Sequence, residues 1–175
     1  MNYATIKWTD IANGEGVRIS LFVSGCTHRC KNCFNEIAWD FSYGEPFTEE
    51  VEEKILKEFA SDYIAGLSLL GGEPLEPQNQ EALYPFVKKV KEQYPQKTVW
   101  CYTGYELDTE LLSGKAGDTE TVRRMLSCID VLVDGRYIEA LHDITLLFRG
   151  SSNQRLIDLR RTEEAGKVVL WEKQI

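Results

Sequence analysis

Short apolar segments alternate with amphipathic helical segments along this chain, and this alternation restricts the possible folds more than any other feature. Val51, Ile55 and Phe59, for example, recur at four-residue spacing and so share one face of a helix. Strands are predicted at residues 18–23, 66–70, 98–103, 130–134, 155–160 and 168–171, and helices at residues 49–62, 79–94 and 119–127. Because apolar strands separated by helices are typical of parallel sheets, the sequence predicts an α/β fold with a mostly parallel sheet of five or six strands.

The length of the chain limits how this sheet can close. A complete barrel of eight strand–helix units typically needs about 250 residues, whereas this chain has 175. We therefore expect a single domain, residues 1–175, built as a partial (β/α) barrel. Polar or glycine-rich loops follow four of the predicted strands, at residues 26–33, 71–74, 103–105 and 134–137. Because ligands of such folds bind at the carboxyl ends of the strands, the four loops predict a single site.

The first of these loops contains three of the five cysteines of the chain, Cys26, Cys30 and Cys33, in the spacing C-x3-C-x2-C. An odd number of cysteines does not suit a disulfide framework, whereas clustered thiolates bind soft metal centres. A 4Fe–4S cluster ordinarily takes four cysteines, so a cluster held by three has one iron open for a substrate to chelate. Two alternatives remain: a zinc site completed by His28 or by one of the other two cysteines, and a chance grouping of three cysteines.

The cysteine spacing, followed by the aromatic residue Phe34, resembles the radical S-adenosylmethionine (SAM) superfamily. The resemblance implies a partial barrel of the radical SAM type that holds one 4Fe–4S cluster through Cys26, Cys30 and Cys33. It also implies SAM as the second cofactor, bound by its amino and carboxylate groups at the open iron. In that superfamily an electron from the cluster cleaves SAM to methionine and a 5′-deoxyadenosyl radical, which abstracts hydrogen.

Five segments extend this resemblance over nearly the whole chain, namely residues 13–35, 71–75, 102–105, 130–137 and 148–159. In sequence and order they resemble the glycyl-radical-forming activases of anaerobic ribonucleoside-triphosphate reductases. The resemblance implies an oxidoreductase that takes a hydrogen atom from a glycine of the large subunit of such a reductase. A flavodoxin-like or other one-electron donor would reduce the cluster. The alternatives are an activase of another glycyl radical enzyme, a small-molecule radical SAM enzyme and, in a different class, a zinc-stabilised binding protein.

The same resemblance assigns contacts with SAM to two segments of the chain. The candidate residues are Asn32, Cys33 and Phe34 for the adenine and Gly71, Gly72 and Glu73 for the amino group. The alternatives are a plain strand-to-loop turn for the glycines, solvent exposure for Glu73, and core packing or a lid over the cluster for Phe34. No catalytic residue is predicted beyond the cluster ligands, because hydrogen abstraction needs no acid or base.

Several residues outside these motifs have two interpretations or a structural one. Asp134 either orients ribose hydroxyls or pairs with Arg136 on the surface. The loop at residues 148–155 is either a hydrated turn or, by resemblance, part of a mouth that faces the partner protein. Cys101 and Cys128 are expected to be buried as small apolar residues.

The composition argues against two classes of partner. The formal net charge is −8, from 28 acidic and 20 basic residues, which does not suit general binding to nucleic acid. No apolar run approaches the length of a membrane span, and the N-terminus lacks the pattern of a signal peptide. We therefore expect a cytoplasmic protein that has neither nucleic acid nor membrane as a partner.

Overall fold

A seven-stranded mixed sheet forms the centre of the structure, a computed structural model that describes residues 1–173. The strands are β1 (Asn2–Asp10), β2 (Val17–Val23), β3 (Glu45–Pro46), β4 (Ile64–Gly71), β5 (Thr98–Tyr102), β6 (Val131–Asp134) and β7 (Arg155–Asp158). Their order in the sheet is β3-β1-β2-β4-β5-β6-β7. The four central strands, β2, β4, β5 and β6, run parallel, whereas β1, β3 and β7 add antiparallel pairs at the two sides.

Helices cover one face of this sheet. They are α1 (Glu49–Glu58), α2 (Pro77–Gln93), α3 (Thr119–Leu126) and α4 (Leu159–Ala165). The first three precede β4, β5 and β6, and each contributes a fully buried side chain, Ile55, Phe86 and Met125 respectively, to a core shared with Leu69 of β4. The apolar helix faces are therefore buried against the sheet, as the periodicity predicts. Within residues 1–173, no helix combines the length and the apolar character needed to cross a bilayer.

The opposite face of the sheet is covered by irregular segments of the chain. Trp100 on β5 packs edge-on against Phe148 and Trp171, with ring centroids 5.3 and 5.0 Å away. Phe148 lies in the long connection between β6 and β7, and Trp171 lies after α4. Aromatic side chains thus fill, on this face, the space that helices fill on the other.

The α/β class, the parallel centre and the three main helices are confirmed, but details at the edges of the sheet are wrong. The sheet has seven strands rather than five or six, because the partly exposed β1 and the exposed β3 lack the apolar runs from which strands were predicted. The segment 155–160 is a strand only as far as Asp158, where α4 follows. Residues 168–171 make a single bridge, between Leu170 and Ile157, and no longer strand. The partial barrel remains a prediction, since β3 and β7 are the edges of the described sheet.

A buried arginine connects three parallel strands on the face opposite the helices. The Arg18 guanidinium donates at 2.8 Å to Ser68 Oγ and to the carbonyl oxygens of Leu67 and Thr98, and it lies 5.5 Å from the ring of Trp100. Arg18 is only 1% exposed. The acceptors on β4 and β5 are therefore satisfied by one side chain from β2 rather than by water.

We expect Arg18→Met to lower the free energy of unfolding by more than about 3 kcal/mol, because it leaves buried acceptors without a donor. Urea unfolding of the metal-free chain measures the effect. The matched control is Arg123→Met, which replaces an exposed arginine on α3 and should change the free energy of unfolding by less than about 0.5 kcal/mol. Equal unfolding midpoints for the two variants would refute this role of Arg18.

Candidate active site

One cavity of about 510 Å³ opens at the carboxyl ends of the parallel strands. All eight residues that the sequence assigns to the cluster or to SAM line it, namely Cys26, Cys30, Asn32, Cys33, Phe34, Gly71, Gly72 and Glu73. Tyr102 and Gly104 at the end of β5 and Gly135 at the end of β6 also line it. The loops that follow the four parallel strands therefore surround one space.

The start of the cysteine loop is bound by backbone hydrogen bonds to the short helical turn at Glu36–Trp39, which follows the loop. The Gly25 backbone N–H donates to the carbonyl oxygen of Ala38 at 2.8 Å, and that of Cys26 donates to the carbonyl oxygen of Trp39 at 3.2 Å. The chain thus leaves β2, forms the loop and returns to pack against the start of the loop. The first cysteine is held by backbone hydrogen bonds that do not depend on its thiol.

Between the cysteines the backbone turns tightly. Arg29 and Asn32 have φ angles of 50° and 56°, in the left-handed region that few residues other than glycine adopt. The Cys33 backbone N–H closes a turn on the carbonyl oxygen of Cys30 at 3.2 Å. Such backbone strain is characteristic of segments whose conformation serves a site.

The three cysteines of the loop differ in burial: Cys26 is buried, whereas Cys30 and Cys33 are half-buried. Burial raises the pKa of Cys26 to about 12, and burial also raises the pKa of Cys30. Both thiols are therefore protonated at neutral pH in the metal-free protein. Because soft metal centres bind the thiolate, loading of a cluster must release protons from this loop.

The other candidate metal ligands lie elsewhere or have protein partners. His28 Nε2 lies 2.7 Å from Glu73 Oε2, and Cys101 and Cys128 belong to the core between the sheet and the helices, as predicted. Within residues 1–173, no three His, Cys, Asp or Glu side chains converge closely enough for a single metal ion. Cys26, Cys30 and Cys33 come from one loop and all line the cavity, and three such thiols suit an iron–sulfur cluster with one iron lacking a protein ligand.

The Glu73 carboxylate is buried and has four neighbours that can donate hydrogen bonds. Oε1 accepts from the Leu75 backbone N–H and the Thr103 hydroxyl, both at 2.8 Å. Oε2 accepts from the Gly104 backbone N–H at 2.7 Å and faces His28 Nε2 at the same distance. Solvent exposure of this side chain is therefore wrong, since Glu73 is 1% exposed. A carboxylate accepts about four hydrogen bonds, so protein groups alone can satisfy the Glu73 carboxylate.

Close packing explains the two glycines before Glu73. A Cβ on Gly71 would lie 2.6 Å from the backbone nitrogen of Val23, and Gly71 also has a φ of 111°. A Cβ on Gly72 would lie 2.6 Å from the carbonyl oxygen of Gly25. Both glycines thus allow the end of β4 to touch the start of the cysteine loop, whether or not their backbone also contacts a ligand.

Phe34 lies at the rim of the cavity with 84% of its surface exposed. Core packing is therefore the wrong interpretation of this ring. Asn32 is also exposed and lines the same cavity. Both side chains are accessible to a bound molecule, and an adenine contact or a lid remains a prediction for Phe34.

Asp134 is buried and pairs with an arginine that the sequence does not suggest. Its carboxylate accepts from Arg155 at 2.9 and 2.6 Å and from the Leu107 backbone N–H at 2.8 Å. Arg136 pairs instead with Glu110. The expected Asp134–Arg136 pair is therefore wrong, because the antiparallel register of β6 and β7 sets Asp134 opposite Arg155.

Two polar atoms of the cavity wall have no partner among the described residues. The Tyr102 hydroxyl and Arg149 Nε are buried without a hydrogen bond, and both residues line the cavity. Buried donors are normally satisfied, so these two are available to a bound molecule. The position of Tyr102 at the end of a predicted strand could have indicated a ligand-binding residue. No sequence pattern indicates that role for Arg149.

Comparison with known proteins identifies the class of this site. Residues 12–157 match the family model described as a 4Fe–4S single cluster domain. The chain is 47% identical over 156 residues to the anaerobic ribonucleoside-triphosphate reductase-activating protein of Haemophilus influenzae, covering 88% of this chain and 96% of the relative. The protein of the same name from Escherichia coli K12 is 40% identical over 162 residues, covering 91% and 100% of the two chains. That of enterobacteria phage T4 is 39% identical over 156 residues, covering 89% and 93%.

The matched region contains every residue that lines the cavity, including Cys26, Cys30 and Cys33. The chain belongs to the family of anaerobic ribonucleoside-triphosphate reductase-activating proteins.

Proposed function

We propose that this chain binds one 4Fe–4S cluster through Cys26, Cys30 and Cys33, binds SAM beside it, and forms a glycyl radical on anaerobic ribonucleoside-triphosphate reductase. The observation that carries the proposal is that the three cysteines line the same cavity as the segment Gly71–Glu73. Cluster and SAM would thus lie in contact at the carboxyl ends of the strands. The names of the relatives support the reductase as the partner, ahead of another glycyl radical enzyme or a small molecule.

Cys26, Cys30 and Cys33 would hold the cluster, and the reduced cluster would supply the one electron needed for reductive cleavage of SAM. The hydrogen atom removed from a glycine Cα of the reductase would leave in 5′-deoxyadenosine, and the glycyl radical would remain on the reductase. The protein's own task is to bind SAM, to orient it and to keep water away. Leu70, Trp39 and Phe148 give the cavity an apolar part suited to the last task.

The remaining partners are part of the same proposal. A flavodoxin-like or other one-electron donor would supply the electron, and the reaction would take place in the cytoplasm. The net charge of −8 favours proteins over nucleic acid as partners.

The Tyr102 hydroxyl is proposed to donate a hydrogen bond to SAM. We expect Tyr102→Phe to weaken SAM binding about fivefold, because one hydrogen bond contributes about 1 kcal/mol. The stability of the metal-free chain should not fall, since this hydroxyl has no partner among the described residues. Anaerobic titration calorimetry of the cluster-loaded protein measures the affinity. Tyr63→Phe, at a tyrosine that is 61% exposed, is the control, and equal affinities for the two variants would contradict the contact.

Metal analysis separates the proposal from the zinc-stabilised binding protein. Glu73 engages Nε2 of His28, so this histidine could bind zinc only through Nδ1. Anaerobic reconstitution should therefore yield about four irons and four sulfides per chain, together with SAM binding. One zinc per chain and no affinity for SAM would overturn the proposal.

A further inference from the structure

Two carboxylates hold the short segment between the first two cluster cysteines. The Thr27 backbone N–H and hydroxyl both donate to Glu76 Oε1, at 2.7 and 2.6 Å. His28 Nε2 lies 2.7 Å from Glu73 Oε2. Two of the three residues between Cys26 and Cys30 are thus bound by side chains from another part of the chain.

Both carboxylates come from the connection between β4 and α2. Glu73 and Glu76 are 1% and 5% exposed, although acidic side chains are rarely buried without a specific partner. Glu76 is the N-cap residue of α2, yet its side chain makes no capping hydrogen bond. Asn79 of α2 adds a third link, since its Nδ2 donates to the Ser24 carbonyl oxygen at 3.0 Å. Glu76 and Asn79, at the start of α2, thus both bind the chain at or just before the cysteine loop.

The end of β5 completes the surroundings of His28. Gly104 donates its backbone N–H to the same Glu73 oxygen that faces His28. The Tyr105 ring packs edge-on against the imidazole, with centroids 4.4 Å apart. A Cβ on Gly104 would lie only 2.5 Å from His28 Cδ2. The imidazole therefore fits a slot shaped by the ends of two strands.

We propose that Glu73 and Glu76 are positioning residues that hold the cysteine loop through His28 and Thr27. The inference rests on the proposed function, since it takes the three cysteines as cluster ligands. Hydrogen bonds from outside the ligand set orient ligands and raise metal affinity. Here they join the cluster loop to the ends of β4 and β5, the same strand ends that form the SAM side of the cavity. The His28–Glu73 contact therefore couples retention of the cluster to the SAM-binding wall.

The first test removes the His28 nitrogen and keeps a ring against Tyr105. We expect His28→Phe, reconstituted anaerobically as the full chain, to lose iron to a chelator about tenfold faster than the unaltered protein. His28→Gln should restore slow release, because an amide nitrogen can take the place of Nε2 as the donor. Rescue by Gln separates a specific hydrogen bond from a loss of packing. Tyr63→Phe is the control, since this ring is 61% exposed and does not line the cavity.

A second variant disturbs the His28–Glu73 contact without substituting His28. Gly104→Ala should displace the imidazole and also speed iron release, while Tyr63→Phe should leave the rate unchanged. Release rates of His28→Phe and Gly104→Ala equal to that of the unaltered protein would overturn the proposal, as would fast release from His28→Gln. If the unaltered protein binds no iron at all, the proposed function fails instead. The two failures are therefore distinguishable in one experiment.

Discussion

Cys30→Ala is expected to abolish reductive cleavage of SAM, and Cys26→Ala and Cys33→Ala should do the same. The cavity wall offers three thiols from one loop, so each substitution leaves two ligands for a cluster that already has one open iron. Loss of a direct ligand should exceed the 10- to 100-fold effects of outer partners, so we expect a drop of more than about 100-fold in 5′-deoxyadenosine formed with dithionite. Iron content and product are measured on the same anaerobic samples.

The matched control is Cys128→Ala. This cysteine lies in the core on the helix side and does not line the cavity, so iron content and SAM cleavage should stay near those of the unaltered protein. The comparison with the three loop variants is direct because each Cys→Ala substitution removes the same atoms. Cleavage retained by any of the three loop variants would refute the ligand assignment. Loss of iron from Cys128→Ala would instead point to a fourth protein thiolate.

Gly72→Ala is expected to damage both the fold and the site. The new methyl group would lie 2.6 Å from the carbonyl oxygen of Gly25 and 2.8 Å from that of Ala38. Both are backbone atoms, so the end of β4 and the cysteine loop must move apart. We expect a loss of about 2–3 kcal/mol in the free energy of unfolding, as for other overpacked sites, and at least about tenfold weaker SAM binding. Urea unfolding and anaerobic calorimetry measure the two effects.

Gly166→Ala serves as the control for the loss of a glycine as such. Gly166 has a φ of 66°, and a Cβ there would meet nothing within 4 Å. Its replacement should cost about 1 kcal/mol of local backbone strain and leave SAM binding unchanged. If Gly72→Ala binds SAM as tightly as Gly166→Ala, the close approach of β4 to the cysteine loop has no bearing on the cofactor.

The interior of the sheet could be predicted from sequence because its strands are apolar on both faces. β4 and β6 are almost entirely buried and therefore read as continuous apolar runs. β1 has only one buried residue, Asp10, and its pairing with β2 depends on a partner that no local pattern reveals. The strand predicted at residues 168–171 is reduced to a short pairing with β7. It consists of the Leu170–Ile157 bridge and two backbone hydrogen bonds, while the Trp171 ring packs against Trp100.

At the site, spacing along the chain identified the residues but could not identify their partners. Cys26, Cys30 and Cys33 are close in sequence, so their grouping was visible at once. The Glu73–His28 contact joins residues 45 positions apart, and it exists only because β2 and β4 lie side by side. The pairing of β2 with β4 therefore determines that the Glu73 carboxylate meets His28. A short sequence motif cannot predict this contact.

The most direct test of the proposed activity is the electron paramagnetic resonance spectrum of the reductase after anaerobic incubation with this protein. The mixture contains cluster-loaded protein, SAM, a one-electron reductant and the large subunit of anaerobic ribonucleoside-triphosphate reductase. We expect a glycyl radical signal that changes shape when the reductase is labelled with α-deuterated glycine, with deuterium appearing in 5′-deoxyadenosine. No radical on a folded reductase, with the cluster shown to be intact and SAM bound, would contradict the account.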